Sequence, residues 1–181
     1  LKDRYILQSM SKIRNKAWEY FVISRIIHKL EDSDVEFVTQ QLVRRSDGSR
    51  ALTDIFFPQF NLHLEIDESH HFESAKDDES FVLSQISADH IREQDIVDQT
   101  GHEIVRIAVF DMMDGSEKSL SAISSETDRF VQRLRAERQA QEANGTFVPW
   151  DFEQRFDPAR IIAKGEISIA DNVLFRLQID A

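Results

Sequence analysis

Leu62-His63-Leu64-Glu65-Ile66-Asp67 alternates without a break. Successive side chains of a strand point to opposite faces, so Leu62, Leu64 and Ile66 share one face and His63, Glu65 and Asp67 the other. A strand face left in water more usually carries Thr, Lys or Ser. Three groups in a row able to ligate a cation or carry a proton are less common, and the rest of the chain is read outward from them. Just upstream, Pro58 to Asn61 reads as a short reversal, and Arg50–Phe57 as the antiparallel strand leading into it. Before that, Val35–Arg44 reads as another strand, joined to its successor through the turn Ser46-Asp47-Gly48. Residues 3–31 read as helix with a break near Asn15, because Ile6, Met10, Ile13, Ala17, Tyr20, Ile27 and Leu30 recur at helical spacing.

Downstream, residues 68–79 are polar and read as loop, and Ser80–Thr100 as a helix stopped by Gly101. Glu103–Phe110 reads as a strand. A last helix, capped by Asp114 or Ser116, carries the stripe Leu120, Ile123, Thr127, Phe130 and Leu134 as far as Asn144-Gly145. A strand that follows a helix returns by a crossover, so the predicted fold is α/β, a mixed central β-sheet flanked by helices with a helix-β-β-β-helix-β core. From Thr146 the character changes, with Trp150, Pro158 and short β-like runs around Glu166–Ile169 and Val173–Leu177. The expected division is a main domain over 1–145, then a linker and the start of an incomplete C-terminal unit over 146–181. Leu1 in place of an initiator methionine reads as part of a longer chain.

The absence of cysteine excludes disulfides and thiolate metal sites and fits a cytoplasmic protein. No run approaches the roughly 20 apolar residues of a membrane helix. The net charge of −11 speaks at first against a nucleic-acid partner. Its distribution changes that reading: residues 51–100 hold 12 Asp and Glu against 2 Lys and Arg. Such a block is either a solvated acidic surface or a set of carboxylates that converge on a divalent cation, which would invert the local field.

The spacing favours convergence. Asp54 stands eleven residues before Glu65, with one tight reversal between them, which brings Asp54 beside the end of the third strand. Asp54, Glu65 and Asp67 then share one patch, where like charges repel unless protonated or bridged by a cation. Mg²⁺ or Mn²⁺ suits such oxygen ligands and serves phosphodiester chemistry. His71, just past the strand, is placed to move a proton, and its neighbour His70 is the other choice. On the helix, Gln85, Asp89, Arg92 and Ile96 form one face. Asp89 and Arg92 read either as an intrahelical pair or as support for the site, Asp89 orienting a histidine and Arg92 contacting phosphate. Glu19 lies off the apolar stripe of its helix and reads as a solvated charge. Arg106 reads as a structural partner for a carboxylate. Arg129, Arg133, Arg135 and Arg138 give the last helix a basic side, solvated or laid on a DNA backbone.

The run Asp54 … Glu65-Ile66-Asp67 … His71 … Asp89-His90-Ile91-Arg92 … Gly101 … Val105-Arg106-Ile107 resembles the PD-(D/E)xK nuclease superfamily, in its very-short-patch repair endonuclease branch. Glu19 and Gln41 also stand where that superfamily often has such residues. More narrowly, Ser11-Lys12-Ile13-Arg14 … Trp18-Glu19, Thr39-Gln40-Gln41-Leu42-Val43, Phe57-Pro58-Gln59-Phe60 and Asp67-Glu68 … His70-His71 are similar to the nuclease domain of the AbaSI group. That group comprises modification-dependent restriction endonucleases that cut DNA bearing hydroxymethylated or glucosylated cytosine. The resemblance implies a restriction-endonuclease-like fold and a metal-dependent DNA endonuclease acting on double-stranded DNA, and cutting both strands with one site per chain suggests a homodimer by symmetry. Asp54, Glu65 and Asp67 would hold the metal, and His71 and Asp89 would assist. The sequence departs from the pattern twice: Asp67 stands where the superfamily has lysine, and Glu68 where the branch has glycine. The first departure moves the expected mechanism from lysine to His71. It also leaves open a degenerate nuclease fold used for binding or assembly, or a hydrolase of another phosphoester.

Overall fold

A computed structural model describes residues 6, 7, 9, 10, 13, 16–68, 92–111 and 116–151. Helix α1, Ala17–Leu30, is followed by strands β1, Val38–Arg44, and β2, Arg50–Phe57. A single 3₁₀ turn at Pro58–Phe60 leads into β3, Leu62–Asp67. Residues 92–100, here α2, are helical. Strand β4, Glu103–Ala108, and helix α3, Leu120–Ala143, complete the fold. The sheet runs β1-β2-β3-β4, antiparallel except for the β3–β4 pair, which is parallel. This is the expected mixed α/β sheet flanked by helices, and the crossover through α2 is what makes its last pair parallel.

The reversal between β2 and β3 is tight because Pro58 starts the 3₁₀ turn and Asn61, at φ +50°, ends it in the left-handed region that Asn tolerates. Gly101, at φ +68°, closes α2 with its N–H on the carbonyl of Val97. The main core lies between the sheet and the pair α1 and α3. Val22, Ile23 and Ile26 of α1 and Ile123, Phe130, Val131 and Leu134 of α3 pack with Ile55, Phe57, Leu62, Leu64 and Ile66. Each such side chain contributes on the order of 1.5–3 kcal/mol by burial. Arg25 ties the two helices by a forked pair to Asp128, with bonds of 2.9 and 2.8 Å. On another part of the sheet, Ile96 of α2 covers Val43 and Ala51, with Ile104 beside them.

Two expectations need correcting. Ser119, not Asp114 or Ser116, caps α3, accepting from the N–H of Ala122. Leu120 is not part of the buried stripe, since it opens the helix at 56% exposure, ahead of the turn that reaches the core. After α3 the chain folds back. Arg138 sits over the ring of Phe147, and Trp150 is buried against Phe37 with its backbone N–H on the carbonyl of Asp34. The boundary expected after residue 145 falls before these contacts. Among the described residues no helix is long and apolar enough to cross a membrane.

Candidate active site

The site forms where β2 and β3 part. Their pairing covers only Ile55–Phe57 with Leu62–Leu64, although both strands extend further. Past that point, the N–H of Ile66 donates 2.7 Å to Oδ2 of Asp54, a side chain, rather than to a β2 carbonyl. This bond pins Asp54 at the fork, next to Glu65. The proximity expected from the eleven-residue spacing is therefore what the structure has.

Around Asp54 the first helix contributes more than the sequence suggested. Glu19, in the first turn of α1, is 2% exposed, not a solvated charge. The helix enters over the end of the sheet, so its first turn faces inward. Gln40 of β1 donates through Nε2 to both Glu19 (2.6 Å) and Asp54 (3.3 Å). Lys16 places its ammonium 2.6 Å from Glu19 Oε2 and 3.7 Å from Asp54 Oδ1. Burial, then the Asp54 carboxylate, push Glu19 up to about 7, against the opposing pull of Lys16 and Gln40. Burial by itself would lower Lys16, but its hydrogen bond to Glu19 together with the charges of Glu19, Asp54 and Glu68 holds it above its usual value. The N–H of Glu19 donates to Glu68, at the end of β3, so the positive end of α1 also faces the acidic cluster.

Gln40 is the strand amide that bridges Glu19 and Asp54; the amide of Gln41 donates to the carbonyl of Leu42. Gln40 lies in mid-strand at φ +51°, a conformation costly for a side chain with a β-carbon. It stands opposite Asp54 in the register, between the pairs Thr39↔Ile55 and Gln41↔Thr53.

Glu65 is buried and held by arginines. Arg92 of α2 donates 2.7 Å to Glu65 Oε1, and Arg106 of β4 lies 3.7 Å from Oε2. Burial nonetheless pushes Glu65 up to about 7; Arg92 opposes this, while the charges of Asp54 and Asp67 add to it. Arg106 also donates to Asp67 (2.9 Å) and Glu93 (3.2 Å). The pairing expected of Arg106 is thus found, but with the acids of the site itself. His63 shares the parity of Glu65 and Asp67 on β3 yet belongs to another cluster. Its Nδ1 is 2.8 Å from Thr53 Oγ1 and its Nε2 3.0 Å from His102 Nδ1, with Phe56 stacked on both rings. Burial, then the neighbouring His102, push His63 down to about 3.

His70, His71 and Asp89 lie outside the described residues. Among the described residues, no three His, Asp or Glu side chains are gathered closely enough to hold a metal ion as they stand. The donor set still fits Mg²⁺ or Mn²⁺. Glu19, Asp54, Glu65 and Asp67 offer only oxygen, and the cations now against them are the protein's own Lys16, Arg92 and Arg106.

A fork of two strands carrying an acid on each, roofed by the first turn of one helix and by an arginine of another, defines a restriction-endonuclease-like α/β protein. The chain belongs to the PvuRts1I-like restriction endonuclease N-terminal family, whose pattern it matches over residues 3–135. It is also similar to the solved 5-hydroxymethylcytosine-specific restriction enzyme AbaSI, at 36% identity and a TM-score of 0.64. That likeness covers 89% of this chain and 54% of AbaSI, so the chain spans about half the length of that relative. A comparison with curated proteins finds no match.

Proposed function

We propose that the chain is the nuclease domain of a metal-dependent restriction endonuclease that hydrolyses phosphodiester bonds of double-stranded DNA. Its targets would be DNA bearing hydroxymethylated or glucosylated cytosine; the likeness to AbaSI, an enzyme specific for 5-hydroxymethylcytosine, supports the first of these. It would work in the cytoplasm as a homodimer, since cutting two strands calls for two sites related by symmetry. The observation that carries the reading is the bond from Ile66 to Asp54, which holds Asp54 beside Glu65 at the open fork.

Asp54 and Glu65 would hold Mg²⁺ or Mn²⁺, with Asp67 as ligand or orienter. The cation supplies Lewis acidity for an attacking water and positive charge for the phosphate. Hydrolysis forms a bond from water oxygen to phosphorus and breaks the bond to the leaving sugar oxygen; one proton leaves the water and one reaches the leaving oxygen. His71 is the proton carrier in this scheme, with Asp89 orienting it. Arg92 keeps Glu65 aimed at the fork by its 2.7 Å bond.

A second reading has its own support: Asp67 stands where the PD-(D/E)xK superfamily that the sequence resembles has lysine, and arginines neutralise Glu65 and Asp67. The fold would then bind or assemble without cutting. Replacing Asp54 separates the two. Asp54→Asn should abolish cutting and weaken Mn²⁺ binding in calorimetry while leaving the melting temperature near that of the wild type. Undiminished cutting by this variant would sink the assignment, and a wild type that neither binds Mn²⁺ nor cuts would favour the binding module.

A further inference from the structure

The pattern on β3 supplies no ammonium, because the position two residues after Glu65 is Asp67. Yet four carboxylates facing one fork repel a phosphodiester, and hydrolysis gathers still more negative charge on the phosphoryl oxygens. A side-chain cation beside the divalent ion would add to the stabilisation of that charge.

Three cations reach the cluster among the described residues. Arg92 is committed to Glu65 and to the carbonyl of Leu52, with bonds of 2.7 and 2.8 Å. Arg106 is spread over Glu65, Asp67 and Glu93. Lys16 differs from both. Its residue is the N-cap of α1, with extended φ and ψ of −113° and 91°, and its side chain makes no capping bond. The ammonium touches Glu19 and lies 3.7 Å from Asp54, which comes from a different element. An ordinary pair at this helical spacing joins two exposed groups and is worth a few tenths of a kcal/mol. Here the acid is 3% exposed while the lysine is 47% exposed, so the pair runs from the interior to the rim where DNA would arrive.

We propose that Lys16 is the ammonium missing from the strand pattern: a catalytic residue that meets the scissile phosphate beside Asp54. The inference rests on the nuclease reading above. Glu19 and Gln40 are then the positioning residues that hold this lysine and Asp54 together from opposite sides.

These 181 residues contain no cysteine, which allows a test by chemical restoration once any cysteine elsewhere in the protein is replaced by serine. Lys16→Cys in the full-length protein removes the ammonium, and alkylation with bromoethylamine restores it on a thioether of similar length. The unmodified variant should cut about a hundredfold more slowly in single-turnover assays, the usual loss for removing one charge-stabilising group. Its Mn²⁺ affinity by calorimetry and its DNA binding in Ca²⁺ should stay close to those of the wild type. Aminoethylation should recover most of the rate, whereas alkylation with iodoacetamide, which adds no charge, should recover none. Lys16→Arg, which keeps the charge, should fall between, and melting curves of all forms show whether the fold is intact. The proposal is overturned if Lys16→Cys cuts at the wild-type rate, if both alkylations restore it equally, or if Mn²⁺ binding collapses with the rate. Where Asp54→Asn abolishes cutting and Lys16→Cys does not, Lys16 alone is excluded and the nuclease reading stands. A wild type inert with every divalent cation overturns both.

Discussion

Gln40 carries a left-handed φ of +51° in the middle of a strand and uses its amide to bridge two acids. Strain of this kind persists where the surroundings over-determine it, and here the surroundings are Glu19 and Asp54. Gln40→Gly should relieve about 1 kcal/mol of backbone strain, so the melting temperature should hold or rise, while cutting falls as the acids lose their clamp. A variant that melts lower and cuts normally would contradict this division. His63 makes a second test. Its ring is pushed down to about 3, whereas an unfolded chain titrates near the ordinary 6.5. Below 6.5 the unfolded state binds the extra proton and the native state does not, so this group withdraws stability as pH falls from 6.5 towards 3, by about 1.4 kcal/mol per pH unit. The imidazole carbon shifts of His63 should therefore stay flat between pH 7.5 and 4.5; a midpoint near 6.5 would show the ring is not buried neutral. Asp54 and Glu65 were legible in the sequence because strand periodicity and a short reversal are local. Glu19 was flagged only by the resemblance, and Gln40 and Lys16 not at all, because their roles depend on a helix start laid over a strand fork and on one inverted φ, neither of which leaves a periodic trace.

At the scale of elements, β3 and α3 show where local pattern suffices and where it fails. The alternation of β3 and the turn residues Pro58 and Asn61 determine both its faces and its antiparallel partner. The start of α3 did not follow from propensity, since Asp114, Ser116 and Ser119 are all good caps and packing selects among them. What α3 does for the site is indirect: with α1 it closes the core under Leu62, Leu64 and Ile66, and so holds the strand that carries Glu65. Leu134, fully buried in that layer, should lose about 2–5 kcal/mol on replacement by Ala, read as a lower denaturation midpoint. The Arg25–Asp128 pair joins the same two helices, but its carboxylate is 41% exposed. Arg25→Ala should consequently change stability by under about 1 kcal/mol. If the order of these two effects were reversed, apolar packing would not be what fixes α1 and α3 on the sheet.

At the scale of the whole molecule, the formal charge of −11 sets a problem for any DNA partner, and Glu19, Asp54, Glu65, Asp67 and Glu68 gather part of it at the fork. Duplex DNA carries one negative charge per ~1.7 Å of axis, so approach to an uncompensated acidic site is opposed by long-range repulsion. Lys16, Arg92 and Arg106 offset part of it within the fold, and burial pushes Glu19 and Glu65 up to about 7, which disfavours their charged forms. A divalent cation would supply the remainder. One consequence runs against intuition. In chelator and at low salt, where screening over a Debye length of ~10 Å or more is weak, removing an acid should help DNA bind even as it ends catalysis. Asp54→Asn is thus expected to bind a duplex more tightly than the wild type in chelator, measured by fluorescence anisotropy. Added Ca²⁺ should strengthen the wild type more than the variant and close the gap, and raising the salt should shrink the difference in chelator. If the variant binds no better than the wild type without divalent ions, the acids at the fork do not govern DNA approach, and the charge concentrated in residues 51–100 is solvated surface instead.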